Sequence, residues 1–146
     1  MLYLLFHALG SFAAVVTLSL IFCVPKHFLV YSGIVGSIGW TVYIGLMETH
    51  LNEMFDMFTA ALLVAIVSHL FARIFKAPVT VFLVPGILPL VPGVGMYRII
   101  YYILQENSTM AGYYFLYTLQ MAGMIAIAIF VTDTFFKILR KTHKNL

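Results

Sequence analysis

Charge is scarce in this sequence. Asp, Glu, Lys and Arg together make up 9% of its 146 residues, against about a quarter in an ordinary soluble domain. So little polar sequence leaves no room for a soluble catalytic domain, and a formal charge of +3 spread over helix ends serves topology and lipid headgroups rather than nucleic acid. Cysteine occurs once, at Cys23, which excludes an internal disulfide and any zinc site built on spaced cysteines. There is no Walker-type phosphate loop, no metal-binding helix motif, no activated nucleophile and no paired-carboxylate arrangement, so direct use of ATP and common hydrolytic chemistries have no carrier. No Lys or Arg precedes Lys26, and the first apolar run is too long for a signal-peptide core. It is expected to be a retained helix.

What is present is hydrophobic sequence, 63% of all positions. Apolar stretches cover about 2–24, 28–47, 54–75, 79–104 and 110–136, each long enough for a hydrocarbon core of about 30 Å. The chain is therefore expected to be one all-α membrane domain, 1–146, with five spans. Basic residues collect at alternate connections: Lys26, then Arg73 and Lys76, then Lys137, Arg140, Lys141 and Lys144. By the positive-inside rule these sides are cytoplasmic and the N-terminus is outside. Tyr101, Tyr102, Tyr113 and Tyr114 then fall at the outer interface, where amphipathic rings are favoured. Asn107-Ser108-Thr109 fits a glycosylation sequon, although chance supplies such triplets often. In the second span Ser32, Gly36 and Gly39, flanked by Gly33 and Ser37, form a face of small side chains suited to close helix packing, as do Ala122, Gly123 and Ala126 in the fifth.

The fourth stretch is unlike the others. Pro85, Gly86, Pro89, Pro92, Gly93 and Gly95 crowd into eleven residues, and a continuous helix there would leave the carbonyls of Val81, Pro85 and Leu88 without donors. Backbone left unpaired at membrane depth is tolerated only inside protein or along a watery cavity, and broken helices of this kind mark transporter binding sites. A bent but unbroken helix, repaired by hydroxyls or water, is the alternative.

The run from Phe82 to Gly93, Phe-Leu-Val-Pro-Gly-Ile-Leu-Pro-Leu-Val-Pro-Gly, with Tyr97 after it, Val24-Pro25 following the first span and Gly36-Ser37-Ile38-Gly39 in the second, resembles the threonine/serine exporter family, in particular its small all-membrane half. The resemblance implies a bacterial plasma-membrane exporter of small carboxylate metabolites, such as threonine and serine or dicarboxylates like succinate. It also implies a larger membrane partner subunit.

A mechanism can be read from the residues beside that resemblance. A half-helix beginning near Met96 would turn its unpaired amides toward the membrane interior, where they suit a carboxylate. The expected substrate site is Pro85, Gly86, Pro89, Pro92, Gly93, Val94, Gly95, Met96, Tyr97 and Arg98: the amides of Gly93 to Met96 and the Arg98 fork hold the anion while Tyr97 lines the pocket. Arg98 is expected to be the deepest ionisable group, unless it instead satisfies freed carbonyls or snorkels. His69, on the face of Arg73, and Asp133, spaced to pair with Lys137, are candidate proton-coupling residues, though each also fits an ordinary structural role. Glu48, His50, Glu53 and Asp56 resemble a metal cluster only loosely and read as a solvated outer edge, so no metal or other cofactor is expected. Oligomeric state stays open. The rival functions are a small multi-span membrane enzyme, with His69 and Asp133 as its acid-base groups, and a purely structural subunit.

Overall fold

The computed structural model describes residues 2–48 and 52–144, and every regular element in them is helical. Four helices are long and apolar enough to cross a bilayer: α1 (Leu2–Ile21), α2 (Leu29–Met47), α3 (Glu53–Ile74) and α6 (Ser108–Lys144). The pair α4 (Thr80–Ile87) and α5 (Gly93–Leu104), bent by 49° at its break, makes a fifth when its two halves are counted as one span. The chain forms the expected all-α bundle, four to five of its apolar helices able to cross a membrane and the fourth apolar stretch broken.

Turn chemistry decides where the helices stop. Cys23, Lys76 and Glu106 adopt left-handed backbone, with φ of 53°, 51° and 55°, directly after α1, α3 and α5. In each case the next amide reaches back over five residues: Val24 to the Ser19 carbonyl, Ala77 to Ala72 and Asn107 to Tyr102, all at 3.0 Å. These are Schellman closures made without glycine. They explain why α1 ends three residues before the apolar run does. At the opposite ends Asn52 and Asn107 act as N-caps, their side chains accepting from the amides of Met54 and Met110 at 3.0 and 3.1 Å. The sequon asparagine is thus occupied in starting α6. That helix runs eight residues beyond Phe136 to Lys144, and an i,i+4 contact of Asp133 with Lys137 at 2.5 Å supports the turn at which the charged tail begins.

α2 is the axis of the bundle, touching α1, α3 and α4, while α3 also packs on α6 and α5 packs chiefly on α6. Lipid offers no hydrophobic drive between helices, so close fit and interhelical hydrogen bonds must hold them. Glycines provide the fit. A Cβ on Gly36 would come within 2.4 Å of Val15 on α1, one on Gly39 within 2.2 Å of Val64 on α3, and one on Gly86 within 2.6 Å of Val35 on α2. The small-residue face of α2 therefore serves packing within the chain. The second small cluster does not: Gly123 has open space around it, and Ala122 and Ala126 are exposed. Hydrogen bonds add to the fit where Ser37 donates to the Ala8 carbonyl at 2.9 Å and the Trp40 indole N–H to His7 Nδ1 at 3.2 Å.

At the end of the bundle that carries Lys26 and Lys76, the rings of Phe28, Tyr31, Phe71, Phe75 and Phe82 pack edge-on or tilted, with centroids 4.3–6.0 Å apart. This aromatic core fixes the start of α4 against α2 and α3. The α4 half of the broken stretch is thereby embedded, with Phe82, Pro85 and Gly86 buried.

Candidate functional site

The break lies later than the proline pattern suggests. Pro85 sits inside α4, which continues to Ile87, followed by a 3-10 turn over Leu88–Leu90 and extended backbone at Val91. The helix survives Pro85 because the orphaned Val81 carbonyl accepts a hydrogen bond from the Ser32 hydroxyl of α2 at 3.2 Å. Ser32, expected only to permit close packing, supplies the donor that proline lacks. The Leu88 carbonyl is satisfied within the turn by the Val91 amide at 3.1 Å.

The second half-helix begins at Gly93 rather than Met96, which moves Arg98 from the first turn to the second. It also changes which amides are open. Gly93 N–H donates to the Val91 carbonyl at 2.7 Å and Met96 N–H to that of Pro92 at 3.2 Å. Among the described residues Val94 and Gly95 keep free donors, as the second and third residues of a helix do.

Beside these two amides is a cavity of about 330 Å³, bounded by Pro89 to Gly95 and Arg98 from the broken span, Trp40 and Tyr43 from α2, Met57 from α3, and Tyr114, Tyr117 and Met121 from α6. Its volume suits a small metabolite. Arg98 crosses to α6, donating from Nη1 to the Tyr114 hydroxyl at 3.1 Å with its guanidinium 5.0 Å from that ring's centroid. Tyr117 in turn donates to the Glu53 carboxylate. Directly behind Gly95 is Thr118, whose buried hydroxyl has no partner among the described residues, whereas Thr132 and Ser68 bond back to carbonyls four residues earlier at 2.9 and 2.7 Å. A Cβ on Gly95 would fall 2.3 Å from that Thr118 oxygen.

Of the expected substrate residues, Pro89, Pro92, Gly93, Val94, Gly95 and Arg98 line the cavity. Pro85 and Gly86 are buried in packing with α2 instead, and Met96 and Tyr97 turn outward, Tyr97 being 66% exposed and stacked on Tyr101. Their positions follow from helix phase once α5 starts at Gly93: Val94, Gly95 and Arg98 share one face, and Met96 and Tyr97 fall on another. Arg98 is exposed at the bundle surface, whereas Asp56 and His69 are buried within it at 3% and 8%. The aromatic walls were missed by the sequence reading, although Trp40 with Tyr43 and Tyr114 with Tyr117 are each spaced i,i+3 on one helix face.

The two proton-coupling candidates come together. His69 Nε2 lies 3.8 Å from Asp133 Oδ1, and the His69 ring stacks on Phe136 at 4.5 Å with an interplanar angle of 6°. They border a second cavity, of about 600 Å³, with Arg73, Lys76 and Lys137. The loose cluster of Glu48, His50, Glu53 and Asp56 is only partly visible, since His50 lies outside the described residues. Among the described residues no group of three metal-ligating side chains converges.

A family model described as "Threonine/Serine exporter, ThrE" matches residues 7–135. No curated protein and no solved structure matches the chain.

Proposed function

Because the chain belongs to the threonine/serine exporter family, we propose that it is a membrane subunit of a secondary exporter of small carboxylate metabolites, threonine and serine or a dicarboxylate such as succinate, in a bacterial plasma membrane. The basic connections face the cytoplasm and the N-terminus the outside. The observation that carries the reading is the cavity beside the broken span, where the open amides of Val94 and Gly95 share a wall with Arg98. A carboxylate seated there receives two backbone N–H groups at the positive end of α5 and a charge-assisted bond from the guanidinium. The unpartnered Thr118 hydroxyl behind Gly95 is available to a polar substrate group once α5 shifts. Aromatic walls from Trp40, Tyr43, Tyr114 and Tyr117 pack the remainder of the ligand.

Export against a gradient draws on protons, with the His69–Asp133 pair as the relay. Threonine leaves through this chain together with a larger membrane subunit of the same family. The test is reconstitution into liposomes with and without that candidate partner, following counterflow of labelled threonine, serine and succinate. Arg98→Gln should abolish counterflow and Arg98→Lys should retain part of it. If Arg98→Gln exchanges substrate normally, the anion is held elsewhere and the site is wrong. If substitutions at Gly93, Gly95 and Arg98 change only the amount of partner in the membrane, the chain is a structural subunit.

A further inference from the structure

The larger cavity sits at the other end of the α3–α6 seam from the proposed substrate site, and its chemistry differs. It is bounded by His69, Arg73, Lys76, Asp133, Phe136 and Lys137, with the start of α4 as its floor. Three cations thus face one carboxylate. Lys137 already answers Asp133 at 2.5 Å, and His69 approaches the same carboxylate from the other side. Arg73 and Lys76 are left without a carboxylate among the described residues. Arg73 lies over the Phe136 ring at 4.7 Å, a contact that orients the guanidinium and leaves its charge uncompensated. The Lys76 backbone is fixed in left-handed conformation within the Schellman closure of α3. The Arg73 guanidinium is therefore oriented by another interaction before any ligand arrives, while Lys76 is fixed at its backbone only.

Location narrows the ligand. The cavity lies where α3 ends, α4 begins and α6 enters its charged tail, which is the level at which a membrane-spanning bundle meets lipid headgroups. Basic pockets between helices at that level suit anionic headgroups. A volume of about 600 Å³ admits a phosphodiester with its glycerol. On α3 and α6 the residues next along the seam, Leu62, Ile66, Val131 and Phe135, border a largely apolar cleft that also touches Thr132 and Phe136.

We propose that this cavity is a binding site for the phosphate of an anionic phospholipid, held by Arg73 and Lys76. The site borders the His69–Asp133 pair, but the phosphate is held by Arg73 and Lys76 and its test requires no transport. Purified protein exposed to equal amounts of phosphatidylglycerol and phosphatidylcholine should retain the former at least about tenfold more in native mass spectrometry, because each cation near an anionic surface is worth roughly a fivefold change in binding. Arg73→Gln should lower retention by about that factor, and so should Lys76→Asn, which removes the charge while tolerating left-handed backbone. Lys141→Gln, at the same end but outside the cavity, should change nothing. Equal retention of the two lipids, or loss in Lys141→Gln equal to that in Lys76→Asn, overturns the site. Charge-dependent binding of inorganic phosphate or of threonine, with no preference among lipids, would replace the headgroup with a free anion.

Discussion

At the scale of single residues, glycine and the left-handed caps carry the sharpest consequences. Gly39 is where α2 meets α3, and a methyl group there would collide with Val64. Gly39→Ala should destabilise the bundle by about 1–3 kcal/mol through overpacking, seen as a lower midpoint in a thermal unfolding assay in detergent. Val64→Ala in the same chain should recover much of the loss, since the two side chains compete for one space. Cys23 gives the opposite case. Its backbone is left-handed and its thiol exposed, so Cys23→Gly should raise stability by roughly 1 kcal/mol by removing the Cβ conflict. A lowered midpoint would mean that the thiol's bond to the Ile21 carbonyl, at 3.9 Å, is worth more than the strain.

At the scale of elements, the broken span shows what sequence could and could not disclose. That Pro85 to Gly95 interrupts a membrane crossing was legible, because proline and glycine act through local backbone chemistry. The register of the break was not: whether Pro85 ends a helix depends on whether a neighbour replaces its missing donor, and Ser32 lies far away in the chain. Likewise His69 and Asp133 could be singled out only as separate candidates, and only the packing of α3 on α6 joins them. Ser32→Ala should cost about 1–2 kcal/mol by orphaning the Val81 carbonyl. In a Pro85→Ala background, where residue 85 again donates to that carbonyl, the same substitution should cost much less. Equal costs in the two backgrounds, measured by unfolding, would mean that the hydroxyl does not serve the proline.

At the scale of the whole molecule, orientation is the property most directly open to experiment. Cys23 is a natural reporter, being the only cysteine of the sequence and exposed at the basic end. A membrane-impermeant maleimide should label it only when the cytoplasmic face is accessible, whereas Glu106→Cys combined with Cys23→Ser should label from outside. The span count and the helical class were legible from hydropathy and turn residues, since membrane crossings are dictated locally by length and polarity. The walls of the cavity were not, because they gather side chains from α2, α3, α5 and α6, whose meeting depends on long-range packing. The Ser32 hydroxyl also sets where this molecule can flex. By tying α4 to α2, it makes sliding of α4 cost that bond, about 1–2 kcal/mol, so a rocking movement should meet least resistance at Leu88–Pro92, with α5 as a lever arm resting on α6.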